Sequence, residues 1–393
     1  MTWQSSDIAI DATNVTKVEP RVAFGGPASS TQNRAYVAYE RFATGNQRDV
    51  YLRRSLDNGL TWGGLVAIET TTKDALFVRI AVHPGATSSV PDRIVVCWET
   101  IFTSGAIKPN ILCALSTNSG QSFAAGQQVN LVADSSIVPE VAIDSGYVHV
   151  AWQDGDKVKA ARSPHASALT FATNVQLSPQ PGQEPRIAAD GSGTVLVVWE
   201  DIRDPLVNIR ANRSVDSGQT WLADGVRVDK DVVNGDSIQP AIAMRPGGRA
   251  FVAWADTSRG QHDIYTNFSD DGGMTWGVVA SRVNADTPGT ATSHSPAIAV
   301  APSGNNVYVT WEDYRTGPQR DIYASVSLDN GVTWNVPDYR INESLPAGAA
   351  DTRLPYIWVS AARVAVVWID NRSGASGSVT TGPTADIYAS YLE

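Results

Sequence analysis

The sequence predicts an all-β fold: a seven-bladed β-propeller of four-stranded blades, one domain over residues 1–393, with the amino-terminal strand closing the last blade. Three observations carry this reading. A turn phrase recurs around the chain. Its copies are spaced like successive four-stranded units. The last unit stops where its own turn should begin, and Met1-Thr2-Trp3 supplies the continuation. Periods near 50 residues with several strands per unit mark propellers.

The turn phrase is S-x-D-x-G-x-T-W. It runs over Ser55 to Trp62, Ser214 to Trp221, Ser269 to Trp276 and Ser327 to Trp334, with worn copies at Ser116 to Phe123 and Ser163 to Phe171. Upstream of it lies a strand whose end reads W-E-D-x-R in its best copies, Trp199 to Arg203 and Trp311 to Arg315. Upstream again is P-x-I/V-A: EPRVA from Glu19, FVRIA from Phe77, VPEVA from Val138, EPRIA from Glu184, QPAIA from Gln239, SPAIA from Ser295 and, altered, LPYIW from Leu354. Each unit therefore holds three apolar strands, a turn and a fourth strand. The aromatic markers Trp3, Trp62, Phe123, Phe171, Trp221, Trp276 and Trp334 lie 48 to 61 residues apart. The interval from Trp334 round through both termini is similar, so the units close a circle. Joining the termini in one sheet removes two exposed sheet edges.

Composition agrees. With 42% hydrophobic residues, 32 Gly and 21 Pro, the chain suits short strands, tight turns and a large core. A net charge of −10 excludes a nucleic-acid partner. No run is long enough to span a membrane as a helix, and no signal peptide opens the sequence. The Trp- and Thr-rich strands suit a secreted or cell-surface protein. Cys97 and Cys113 fall in adjacent strands and read either as a disulfide or as two buried thiols. Five histidines without ligand spacing point to no metal, and no phosphate-binding loop points to a cofactor.

The turn phrase is similar to the Asp-box, or bacterial neuraminidase repeat, and the whole chain resembles the sialidase-like Asp-box propellers. The phrase itself is structural. Its Ser and Asp side chains can bond turn amides, its Gly permits positive φ, and its Trp reads as a core filler.

Strand direction alternates within a blade, so the starts of the first strands and the ends of the second strands share one face around the central channel. Loops on a rigid scaffold are where binding residues gather. The residue after the Pro position, blade by blade, is Arg21, Arg79, Glu140, Arg186, Ala241, Ala297 and Tyr356. Positions that differ between blades are better functional candidates than repeated ones. Arg21, Arg79, Arg186, Glu140 and Tyr356 are therefore candidate ligand-binding residues, joined by His294 near the same rim. The recurring pairs Asp201/Arg203, Asp313/Arg315 and Asp370/Arg372 read as loop braces.

Sialidases of the resembled family hold a substrate carboxylate with three arginines and use a Tyr nucleophile paired with Glu plus an Asp acid; arginine gives bidentate carboxylate recognition. The resemblance thus implies Tyr356 and Glu140 as catalytic candidates, with Asp201 or Glu40 as the acid. Two departures stand out. Arg41 occupies the blade-one position of Asp201, and the family's enzymes have six blades rather than seven. The expected function is carbohydrate binding, lectin-like, by the loop rim around the channel, with a glycan or anionic sugar as partner. The alternatives are an exo-acting glycoside hydrolase or lyase and a protein-interaction scaffold. One deep, asymmetric, charged site marks an enzyme, several similar shallow sites mark a lectin, and an exposed apolar patch marks a scaffold.

Overall fold

The computed structural model describes residues 7–11, 15–26, 34–42, 47–71, 73–101, 108–132, 135–230, 234–343, 346–360, 363–371 and 386–392. These residues form seven antiparallel four-stranded sheets and no helix. In chain order, the innermost strands of blades one to seven are Lys17–Gly25, Asp74–His83, Ser136–Ile143, Gly182–Ala189, Ser237–Met244, Ser293–Val300 and Thr352–Val359. Each packs against the next, and the first packs against the last, so the ring closes around a channel. The outermost strands are only two to four residues long, which limits exposed edges.

Closure follows the sequence reading. Ile8–Asp11 pairs antiparallel with Asp386–Leu392 as the fourth strand of blade seven. Lys17, at the start of blade one, is wholly buried and lies 2.9 Å from Asp386 and 3.8 Å from Asp11. Tyr39 Oη donates to Asp11 at 2.6 Å. The seam thus joins three strands from both ends of the chain by charge-assisted bonds. Trp3 and Arg372 lie outside the described residues.

The core sits between blades. Each second strand buries an aromatic completely at the same place: Tyr39, Trp98, Trp152, Trp199, Trp254, Trp311 and Trp368. These rings fill the wedge between neighbouring sheets. The tryptophans of the turn phrase are different from the sequence expectation. Trp276 is buried, but Trp62, Trp221 and Trp334 are only half-buried at the core's margin. Each of them lies past the end of its third strand, in the segment that leads to the short fourth strand, so the second-strand aromatics do the filling.

The turn phrases share one bonding pattern. Ser327 Oγ accepts from the Gly331 amide and donates to Asp329, while Asp329 accepts from the amide and hydroxyl of Thr333. The same set recurs at Ser55, Ser214 and Ser269, and Asn118 replaces the Asp in the worn copy from Ser116. Asn330 has φ 65° and Gly331 φ 80°, a left-handed pair that tightens the turn. Cys97 and Cys113 are direct cross-strand partners in blade two and form a disulfide. Of the two readings of this pair, register selects the bridge.

Candidate functional site

Every inner strand carries a bulge at the same place. The residue before the Pro position adopts a left-handed conformation: Glu19, Phe77, Val138, Glu184, Gln239, Ser295 and Leu354 have φ between 49° and 55°. Strand pairing slips by one residue there in all seven blades. Such a backbone is unfavourable for a side-chain-bearing residue and persists where the surroundings hold it. Here the neighbouring blade holds it. Glu99 accepts the Val138 amide at 3.2 Å, Glu200 accepts the Gln239 amide at 2.7 Å, and Glu312 accepts the Leu354 amide at 2.7 Å. These are the glutamates of the W-E phrase, so that phrase is an inter-blade tie. Blade five has Ala255 in place of this glutamate, and there the Gln239 side chain accepts the Ser295 amide instead, at 2.8 Å.

Six of the seven bulge residues, all but Val138, and the residues after the Pro position line one cavity of about 540 Å³ at the channel mouth. Among the candidates it contains Arg21, Arg79, Glu140, Arg186 and Tyr356. It also contains Glu19, Gln183, Glu184, Gln239 and Ser295, which lie two or three positions before the ring column and which the sequence reading does not include. The Glu-Pro pairs at 19–20 and 184–185 were the available signal. The channel beyond is apolar, a space of about 310 Å³ lined by residues such as Val82, Ala142, Met244, Val300 and Trp358.

The polar residues form an arc across five blades. Arg21 lies 5.3 Å from the centre of the Tyr356 ring and 2.9 Å from Glu19. Glu19 also reaches Arg79 at 3.4 Å. Arg79 Nε donates to Glu140, which sits 3.6 Å from Arg186, and Arg186 reaches Glu184 at 3.3 Å. Three arginines and three glutamates thus alternate, and their charges cancel. Burial pushes the Glu19 carboxyl up, but Arg21, Arg79 and Arg186 together hold it below the usual carboxylate range. Burial and the neighbouring Arg79 lower the Arg21 guanidinium. Burial weakens Arg79 as an acid's partner, yet Glu140 and Glu19 outweigh this and hold its proton more tightly than usual. Burial and Glu140 raise the Tyr356 hydroxyl. Blades five and six break the arc, since Ala241 and Ala297 stand where charged or aromatic residues stand elsewhere.

The two acid candidates do not reach the cavity. Glu40 is fully buried, paired with Arg48 at 3.2 Å, and pushed up to about 7 by burial and Glu19. Asp201 is fully buried and held at 2.7 and 2.9 Å by Arg203, which also grips Asp224. Asp313, Arg315 and Asp338 repeat that arrangement, so the D-x-R pairs in these two blades are braces. Asp201 ends its second strand and is held in the brace, and Glu40 lies within Arg34–Phe42 and is turned toward Arg48. Glu200 does line the cavity, but Gln183 and the Gln239 amide engage both of its oxygens. His294 sits just behind the wall, its Nδ1 3.0 Å from Ser295 Oγ, and burial lowers its tendency to protonate.

No protein-family model and no curated protein matches the chain in sequence. Its fold is similar to solved propellers. An ulvan lyase bound to -[GlcA(1-4)Rha3S]- superposes with TM-score 0.60 at 10% identity, over 94% of each chain. An α-L-arabinofuranosidase from Fusarium graminearum, in complex with an iminosugar inhibitor, gives 0.52 at 12% identity, over 97% of this chain and 98% of that one. A mutant Trypanosoma rangeli sialidase displaying trans-sialidase activity gives 0.51 at 12% identity, over 96% of this chain and 54% of that one. The chain also spans 63% of a Hadza microbial sialidase. At these identities the likeness is one of fold.

Proposed function

We propose that the protein binds carbohydrate in the central cavity, through the alternating arginine–glutamate arc. That arc is the observation that carries the reading. Sugar hydroxyls both donate and accept, and an arc that alternates donors with acceptors matches such a surface. Because Arg21, Arg79 and Arg186 each have a glutamate partner, a neutral, hydroxyl-rich sugar fits without displacing a charge. An anionic sugar would have to compete with Glu19 or Glu184. The carbohydrate-active names of the propellers that share this fold support the class of ligand. The repeated turn is read as the Asp-box on its shared bonding pattern. The Cys97–Cys113 bridge suits an oxidising compartment, so a secreted or cell-surface location belongs to the same proposal.

A glycan array followed by calorimetric titration tests this. Binding is expected, and Arg186→Ala should weaken it about tenfold or more, equivalent to about 1.4 kcal/mol. A silent array, or binding indifferent to Arg186→Ala, would sink the proposal.

One observation favours a second reading, an exo-acting glycoside hydrolase or lyase: the site is single and asymmetric, and Tyr356 and Glu140 share its wall. Turnover of a fluorogenic glycoside, lost in Tyr356→Phe, would establish that reading.

A further inference from the structure

We infer that the ligand is an oligosaccharide chain rather than one terminal sugar, and that it runs from the central cavity outward across the boundary of blades five and six. The inference rests on the carbohydrate reading above and deepens it. Three features coincide at this one boundary. The arc is broken there by Ala241 and Ala297. The inter-blade glutamate gives way there to Ala255, as it does to Gln153 in blade three and Ile369 in blade seven, and the tie runs instead from the Ser295 amide to Gln239. A second cavity, about 750 Å³ and open, lies on the same boundary, lined by Gln261 from blade five, Asp286 and Thr292 from the linking segment, and Tyr314 and Arg315 from blade six.

The two cavities are neighbours, parted by a wall of adjacent side chains over which a bound chain would pass. Ser295 walls the central one. His294 touches Ser295 and lies 5.8 Å, ring to ring, from Tyr314, which walls the outer one. Tyr314 is the one tyrosine at its place, since the matching positions are Phe42, Ile101, Gly155, Ile202, Thr257 and Asn371. It is half-buried, with the Arg320 guanidinium 5.7 Å from its ring centre. Arg320 is itself fixed by two bonds to Asp351 and one to Glu312. A ring held this firmly gives an amphipathic platform at little entropic cost, suited to the C–H face of a pyranose. Around it, Gln261 and Thr292 add amide and hydroxyl groups, already bonded to each other at 2.8 Å. A sugar seated against the arc therefore has an exit lined for its neighbours.

The experiment is titration with matched pairs: glucose and cellohexaose, xylose and xylohexaose, arabinose and arabinohexaose, galacturonic acid and hexagalacturonate. For the pair that binds, the hexasaccharide is expected to bind about tenfold or more tightly than the monosaccharide. Tyr314→Ala should erase most of that gain and leave the monosaccharide affinity unchanged. Tyr314→Phe should keep the gain, and Gln261→Ala, an exposed change, should reduce it in part. Arg186→Ala should weaken both members equally. Equal affinity for monosaccharide and hexasaccharide overturns the inference while leaving the central site standing, as does a Tyr314→Ala variant that keeps the full gain. No binding by any member, with a silent glycan array, overturns both.

Discussion

Glu99 offers a measurable consequence of the inter-blade ties. Its side chain is 2% exposed and accepts the Val138 amide. An ordinary glutamate titrates near 4.5, and burial carries this one to about 7, against the smaller opposing pull of that amide and of Arg48. A carboxyl whose folded value is raised favours the fold while protonated. Its contribution is fully present below the unfolded value and is lost as pH rises through the folded value. The window is therefore roughly pH 4.5 to 7. Integrated from pH 5 to pH 8, ionisation of this one group costs about 2–3 kcal/mol of stability. Glu99→Gln keeps an oxygen to accept the amide and cannot ionise. The variant should match or slightly trail the native protein at pH 5 and exceed it by about 2 kcal/mol at pH 8. Urea denaturation of both proteins at the two pH values gives the difference of differences, in which the other titrating groups cancel. A variant whose stability relative to native is the same at both pH values would refute the reasoning. It would mean that water or a cation reaches Glu99 and keeps it ionised at no cost.

Two further outcomes follow from contacts at the seam and the turns. Lys17→Ala should destabilise the protein by about 3–5 kcal/mol, because it takes the buried cation away from the carboxylates of Asp386 and Asp11; a denaturation midpoint unchanged from native would show that the seam does not depend on this charge. Ser327→Ala removes the acceptor of the Gly331 amide and a donor to Asp329 and should cost about 1–2 kcal/mol, read from thermal unfolding, with carbohydrate binding at the opposite face unaltered.

How much of this was legible in the sequence differs by element. The number of blades, the closing strand and the ring column from Arg21 to Tyr356 follow from repeated phrases. Each phrase encodes contacts within its own blade, between strands joined by a short turn. The D-x-R brace was legible for the same reason. Glu19 and Glu184 escaped because their role depends on the bulge. A left-handed residue before Pro is not a pattern that strand periodicity reveals. The W-E glutamates escaped because their partners lie in the next blade.

The sequence by itself determined the ring: how many sheets, how they close and which positions face the channel. Tertiary structure decided the charge state and shape of the site. Arg79 meets Glu19 and Glu140 across 60 and 61 residues of chain, a full repeat in each direction. Neighbours of that kind are set by the rotation between blades rather than by any local pattern. Ring geometry therefore turned three apparently available arginines into a neutral arc, withdrew Glu40 and Asp201 from the cavity, brought Cys97 and Cys113 into direct register, and left the arc broken at Ala241 and Ala297.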